Sequence, residues 1–197
     1  MKRDPLLYLV IGALIGGVVV WFLANNAVNT NNMGMMQNSQ TIDAHFIEQM
    51  IPHHEDAIVM AELALTKATR PEVKTLAQNI IDSQSKEIEQ MKAWYKDWYE
   101  WDLPTDSEVM EEHGMMGRSG MHMGMMGDET DIARLENAID FDRAFVEEMI
   151  PHHQMAVMMA SMLKNGTNRP EMQKLADDII AAQTREIDQM RAWLKTW

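Results

Sequence analysis

The chain has 197 residues, of which 46% are hydrophobic and 24% are charged, a composition typical of a globular protein rather than a disordered one. Its net charge of -13 at pH 7 repels phosphate backbones and attracts cations, so metal cations are expected as partners and nucleic acid is not. The 21 methionines beside 0 cysteines exclude a disulfide scaffold and a cysteine nucleophile, and they offer soft thioether ligands suited to an oxidising compartment.

The first element is an apolar segment, residues 6–23, and it is preceded by Lys2 and Arg3. Its length is close to the minimum of about 18 residues that can cross the hydrocarbon core of a membrane. Residues 1–24 are therefore predicted to be an uncleaved signal anchor or a signal peptide, and either one carries the rest of the chain out of the cytoplasm. We expect a periplasmic or extracellular protein that meets the membrane only through this segment.

Residues 25–41 are polar and show no helical periodicity, so they are predicted to form a flexible linker. The linker contains Met33, Met35 and Met36. These three methionines are either a small cluster of thioether ligands or ordinary residues of a polar linker.

Residues 42–101 predict a helical hairpin. Apolar side chains recur every three or four positions in two stripes, residues 46–64 and 76–98, which is the spacing of one helical face. Pro52 lies inside the first stripe, where it removes one backbone hydrogen bond and should bend the helix. Pro71 separates the stripes and is well placed as the first residue of the second helix.

The connector between the hairpins, residues 102–128, contains a run of methionine, histidine and glycine. Its candidate metal ligands are His113, Met115, Met116, Met121, His122, Met123, Met125 and Met126. Thioether and imidazole groups favour Cu(I), with Ag(I) as a surrogate, over the oxygen-seeking Mg²⁺ and Ca²⁺. The alternative is that these methionines fill a core, although the glycines make the segment too flexible for a packed element.

Residues 129–197 are predicted to form a second hairpin, in which residues 145–197 match residues 46–98 without gaps at a constant offset of 99 positions. Matching pairs include Phe46 and Phe145, Pro71 and Pro170, and Trp94 and Trp193. One amphipathic hairpin cannot bury its own stripes, whereas two hairpins can bury theirs against each other. The predicted fold is therefore all-α, a four-helix bundle built from two duplicated hairpins and preceded by an N-terminal transmembrane or signal helix.

The motif Met-Ile-Pro-His-His stands in both copies, at residues 50–54 and 149–153. The candidate metal ligands in the repeats are Met50, His53, His54, Met60 and Met91, followed by Met149, His152, His153, Met159 and Met190. Gln84 and Glu87 interrupt an apolar stripe and are candidates to orient ligating imidazoles. The alternative is a hydrogen-bonded network in which histidine and Glu or Gln satisfy one another without a metal.

Tryptophans recur near the end of each hairpin, as Trp94, Trp98, Trp101, Trp193 and Trp197. Aromatic rows at helical spacing are usually core or hairpin-closing contacts. Cation-π contact with a bound soft metal is the other interpretation.

No nucleophilic triad, phosphate-binding loop or dinucleotide-binding motif is present, and the Glu-x-x-His motif of di-iron bundles is missing at the duplicated sites. We therefore expect a binding protein rather than an enzyme. Two alternatives remain, a metal-dependent oxidase on a helical bundle and an anchored helical interaction module whose methionines are incidental. Zinc is a weaker candidate, because 7 histidines do not explain 21 methionines.

Both halves resemble the family called domain of unknown function 305. Its pattern of Phe, Met-Ile-x-His-His and a later Gln-x-x-Glu-Ile-x-x-Met-x-x-Trp stands here at residues 46–94 and 145–193. With the apolar N-terminus and the Met-His connector, the whole chain is similar to the family's copper-binding members. The resemblance implies a ferritin-like bundle, an extracytoplasmic address, and a role in copper resistance through sequestration or transfer to a copper-delivery or sensor protein. It implies no catalytic residues.

Overall fold

The structure is a computed structural model that describes residues 41–99 and 129–197. Within these two ranges the chain forms five helices and no strand, which confirms the all-α prediction for this part of the chain. The helices are α1 (residues 41–67), α2 (Pro71–Tyr99), α3 (Glu129–Glu136), α4 (Phe141–Gly166) and α5 (Pro170–Leu194).

The predicted N-terminal segment, nearly all of the linker, and the connector lie outside the described residues; only Thr41, at the end of the predicted linker, is described and already helical. Among the helices of the described ranges, none is long and apolar enough to cross a membrane.

Proline and a capping aspartate set the starts of three helices. Pro71 and Pro170 are the first residues of α2 and α5, where the missing N–H has no partner to lose. The side chain of Asp140 accepts a hydrogen bond from the backbone N–H of Arg143 at 3.2 Å and so caps α4. α4 continues through Pro151, so this proline interrupts the hydrogen-bond ladder without ending the helix.

The core consists of two clusters of buried side chains, and each cluster is built from both hairpins. The first core cluster comprises Ala57, Met60, Ala61, Ala64, Ala68, Val73, Leu76, Ala77, Ile80, Leu135, Phe141, Phe145, Val146, Met149, Ile187 and Met190. The second core cluster comprises Phe46, Ile47, Met50, Ile51, Ile88, Met91, Tyr95, Ala156, Met159, Ala160, Leu163, Met172, Leu175, Ala176 and Ile179. Most members of one cluster map onto the other by the offset of 99 positions, so the duplication is also a pseudo-two-fold symmetry of the core.

The symmetry explains why both hairpins are needed. The first core cluster takes the second half of α1 and the first half of α2 from one hairpin, and it takes the first half of α4 and the second half of α5 from the other. The second core cluster takes the complementary halves. Burial of each large apolar side chain contributes about 1.5–3 kcal/mol, and neither hairpin alone supplies the partners for that burial.

The turn between α1 and α2 is held by the other hairpin. Asp142, whose side chain is buried, accepts hydrogen bonds from Thr69 N at 3.1 Å, Thr69 Oγ1 at 2.5 Å and Arg70 N at 3.0 Å. The guanidinium of Arg70 lies over the ring of Trp197 at 4.1 Å. A backbone turn that would otherwise face water is therefore tied to the start of α4 and the end of the chain.

The turn between α4 and α5 is held in the equivalent way. Arg169 Nε lies 3.3 Å from Asp43 Oδ2, and the Arg169 guanidinium lies over the ring of Trp98 at 4.1 Å. Trp98 in turn stacks on Trp94 with ring centroids 5.4 Å apart. Trp98 and Trp197 thus each lie against the turn of the opposite hairpin, with an arginine of that turn as the cationic partner.

Candidate metal centre

Four histidines lie at the middle of the bundle. His53 and His54 of α1 lie between the residues that α1 gives to the second core cluster and those it gives to the first, and His152 and His153 have the same place in α4. All four are buried, with between 0% and 6% of their surface exposed. The rings of His53 and His152 are 3.8 Å apart between centroids, so equivalent residues of the two copies meet at the pseudo-two-fold axis.

The other two histidines are held by carboxylates of the second helix of their own hairpin. His54 Nε2 donates to Glu87 Oε2 at 2.6 Å, and His153 Nε2 donates to Glu186 Oε2 at 2.8 Å. A neutral imidazole that donates from Nε2 keeps its lone pair on Nδ1. The Nδ1 atoms of both rings are buried and have no hydrogen-bond partner, which is the arrangement of a ligating histidine with a supporting carboxylate.

The ring nitrogens of His53 and His152 make no hydrogen bond of normal geometry, although each ring lies close to the backbone of the other histidine. Burial, together with the neighbouring histidines His54 and His153, lowers the pKa of His53 to about 3. Burial and the same neighbourhood also hold the pKa of His152 well below its usual value. Both rings are therefore neutral at pH 7, and each presents a lone pair to the interior.

The second helix of each hairpin carries one buried glutamine near the level of the histidines. Gln84 and Gln183 are 2% and 3% exposed, and Gln84 Oε1 and both amide atoms of Gln183 are buried without a partner. Each glutamine precedes its glutamate by one helical turn, Gln84 before Glu87 and Gln183 before Glu186. The centre of the bundle is thus a polar layer between two apolar clusters.

The methionines of the repeats are divided between the two clusters. Met50 and Met91 belong to the second core cluster, whereas Met60, from the same hairpin, belongs to the first. Met60 there joins Met149 and Met190 of the other hairpin. The structure therefore groups the candidate thioethers across the two copies, with Met159 joining Met50 and Met91.

The remaining candidate ligands, residues 113–126 of the connector, lie outside the described residues, as do Met33, Met35 and Met36. Within residues 41–99 and 129–197, no three side chains of His, Asp or Glu are already arranged around a common metal position.

A hydrogen-bonded network does not account for all of the central polar atoms. The contacts of His54 with Glu87 and of His153 with Glu186 satisfy one nitrogen of each ring, as the network interpretation predicts. The nitrogens of His53 and His152 and the Nδ1 atoms of the other two rings stay unsatisfied, and each buried polar atom without a partner costs about 1–3 kcal/mol. A neutral imidazole has one lone pair, so a soft or borderline metal can satisfy one nitrogen of each of these rings.

Two equivalent helical hairpins that enclose paired histidines, each pair supported by a glutamate, define a duplicated helical-bundle protein. The chain belongs to the family described as domain of unknown function (DUF305), whose model matches residues 43–194. The resemblance inferred from the Phe, Met-Ile-x-His-His and Gln-x-x-Glu-Ile patterns is thereby confirmed over both copies.

Solved structures of CopM are similar to this chain. The apo form of CopM is 48% identical, with 79% of this chain and 97% of CopM covered and a TM-score of 0.66. CopM has also been solved in Cu(I)-bound, Cu(II)-bound and Ag-bound forms at the same identity. Copper and silver binding is therefore found among the relatives of this chain.

Two further relatives are more distant or match a shorter segment. A DUF305 fragment from Deinococcus radiodurans is 29% identical, with 79% of this chain and 97% of that chain covered and a TM-score of 0.63. The uncharacterized protein L153 of Acanthamoeba polyphaga mimivirus is 42% identical over 53 residues, which are 27% of this chain and only 35% of that protein.

The direct contact of His53 with His152 was not predicted from the sequence. Their equivalence by the repeat offset was visible, and equivalent residues near the middle of a pseudo-symmetric pair of helices meet at the axis. The pattern of a single copy does not predict this contact, because His152 lies in the other copy.

Proposed function

We propose that this protein is a non-enzymatic copper-binding protein that takes up Cu(I), and Cu(II) through histidine, with Ag(I) as a surrogate. One observation carries the proposal: the buried imidazole nitrogens without a partner at the centre of the bundle, in a chain whose relative CopM binds Cu(I), Cu(II) and Ag. Imidazole accepts both oxidation states of copper, and neighbouring thioethers favour Cu(I).

The candidate ligands form two sets. His53, His54, His152 and His153, with the methionines of the adjoining clusters, would hold copper inside the bundle, where Glu87 and Glu186 orient two of the rings. The connector residues 113–126 would bind Cu(I) through their own thioether and imidazole groups. Six thioethers and two imidazoles in so short a segment suit transient capture of a soft ion.

Copper is here a cargo, and the protein limits free copper or passes it to a delivery or sensor protein, which supports copper resistance. The address we propose is the periplasm or the cell exterior, with residues 6–23 as a membrane anchor or a signal. Two observations favour it: the apolar N-terminal run after Lys2 and Arg3 and the absence of cysteine from a chain so rich in sulfur.

Removing the central imidazoles tests the proposal. In the full chain, His53→Leu combined with His152→Leu replaces two buried imidazoles with apolar side chains of similar size. We expect a lower copper content by mass spectrometry and weaker Cu(I) binding in anaerobic competition with a chelator, at unchanged helicity. His45→Leu is the matched control, since the His45 side chain is 56% exposed. Unchanged copper binding in the folded double variant would exclude His53 and His152 as copper ligands.

The oxidase alternative is separated by turnover. A copper oxidase consumes oxygen continuously when Cu(I) is supplied in excess, whereas a binding protein takes up a fixed number of ions and then stops. An oxygen electrode distinguishes the two. We expect no oxygen consumption above the metal-only background, and sustained consumption that the double variant loses would establish the oxidase.

A further inference from the structure

One face of α4 carries exposed methionines. Met158 and Met162 are 50% and 67% exposed, and Met155 is partly buried at the edge of the second core cluster. Spacings of three and four residues place all three side chains on one face of the helix. The first copy has no methionine there, because the equivalent residues of α1 are Asp56, Val59 and Leu63.

Core packing does not explain the exposed side chains of Met158 and Met162. Apolar burial stabilises a fold only through the surface it removes from water, and most of the Met162 surface stays in water. The first copy builds the same hairpin with a carboxylate, Asp56, at the position of Met155. A thioether at these positions is therefore not a requirement of the fold.

The three sulfur atoms can reach a common point. At 1.5 Å of rise per residue, Met158 lies about 4.5 Å along the axis from Met155 and about 6 Å from Met162. Methionine is unbranched with three rotatable side-chain bonds, so the outer two side chains can lean towards the middle one. Residues 155–163 contain no charged side chain, so no cation or carboxylate of this stretch competes for the site.

We propose that Met155, Met158 and Met162 form a solvent-facing site for a soft monovalent cation, Cu(I) or Ag(I), in the second copy alone. Three neutral thioethers match the low coordination number and softness of these ions, and the lack of oxygen or imidazole ligands disfavours Cu(II) and Zn²⁺. The site extends the proposed copper-binding function, yet it shares no ligand with the central histidines. Exposed ligands exchange their ion with the surroundings more readily than buried ones, which suits the step at which copper enters or leaves.

Silver serves as the probe. In the full chain labelled with ¹³C at the methionine methyl groups, substoichiometric Ag(I) should shift the signals of these three methionines. The variant carrying Met155→Leu, Met158→Leu and Met162→Leu keeps the apolar volume and should bind one Ag(I) fewer per chain by native mass spectrometry. The His53→Leu and His152→Leu double variant should keep the three shifts, which separates this site from the central one.

The first copy offers a matched gain-of-function variant. Asp56→Met, Val59→Met and Leu63→Met transfer the pattern to the equivalent face of α1 and should add one Ag(I) per chain. Methyl signals that do not move with silver would overturn the proposal, as would equal silver content in the wild type and the three-leucine variant. A three-leucine variant that keeps its silver content but no longer binds another protein would also overturn the proposal, and it would identify this face as a protein contact.

Discussion

The carboxylate of Glu87 is 19% exposed, whereas the side chain of His54 that it contacts is fully buried. The carboxylate therefore fixes an imidazole that has no other hydrogen-bond partner, and it leaves Nδ1 as the free lone pair. Loss of such supporting carboxylates typically lowers metal affinity about 10-fold to 100-fold. In the proposed function, Glu87 would act on copper binding through the orientation and basicity of His54.

We predict that Glu87→Gln weakens copper binding at the centre by about 10-fold to 100-fold while the fold persists, because glutamine keeps the size of the side chain and removes its charge. Glu89→Gln is the control, since Glu89 is exposed on the same helix. Competition titration with a chelator measures the affinity of both variants. Equal affinities for Glu87→Gln and Glu89→Gln would mean that the His54–Glu87 contact is structural only.

The neutral histidines also predict how stability depends on pH in the metal-free protein. The pKa of His53 falls from an ordinary value of 6.5 to about 3 on folding, chiefly through burial. Below pH 6.5, His53 of the unfolded chain takes up a proton that the folded chain does not take up. The contribution of neutral His53 to the free energy of unfolding is therefore complete above pH 6.5 and declines as pH falls towards 3. The loss per histidine is at most about 1.4 kcal/mol per pH unit.

Urea unfolding of the metal-free chain at pH 7.5, 6.5, 5.5 and 4.5 tests this dependence. His152 shares the lowered pKa and adds to the slope. The His53→Leu and His152→Leu double variant should show a flatter profile over the same range. A slope that persists in that variant would assign the acid sensitivity to other groups.

At the scale of the helices, the sequence predicted the stripes and the proline starts because both depend on local spacing. Pro71 and Pro170 begin α2 and α5 as expected. The regrouping of Met60 with Met149 was not predictable in the same way, since it depends on which half of one hairpin faces which half of the other. The same reason hides the contact of Arg70 with Trp197.

The cross-hairpin turn gives a prediction at this scale. Hydrogen bonds from Thr69 and Arg70 outweigh the effect of burial and lower the pKa of Asp142, so the folded state favours its charged form. Asp142→Asn removes that charge and part of the acceptor capacity and should reduce the free energy of unfolding by about 2–3 kcal/mol. Asp188→Asn, at an exposed position of α5, should change it by less than about 0.5 kcal/mol.

Chemical denaturation of the two variants at pH 7 measures the difference. An equal, small effect of Asp142→Asn and Asp188→Asn would show that the turn does not depend on the buried carboxylate. Because the ordinary pKa of Asp142 is 3.8, its contribution is complete above that pH and is lost as pH falls further.

At the scale of the molecule, the duplication determines both the core and the polar layer within it. Each apolar cluster draws on both hairpins, and the central contact joins His53 to its own equivalent, His152. The sequence alone predicted that two hairpins would combine. It did not predict that the pseudo-two-fold axis would pass through histidines, because a linear comparison shows which residues are equivalent but not which equivalents touch.

A single hairpin lacks half of each core cluster. Residues 42–101, expressed alone, lose the partner side chains that α4 and α5 supply to both clusters, so a single copy should not fold cooperatively as a monomer. Two copies of it can still meet through the same pseudo-symmetric faces. Its helicity by circular dichroism should therefore rise with protein concentration, together with the dimer fraction in sedimentation. Addition of residues 129–197 should restore a cooperative transition at lower concentration, since the natural pairs, including Met60 with Met149, then form. A single hairpin whose unfolding is cooperative and independent of protein concentration would contradict the prediction that both hairpins are needed to form the core.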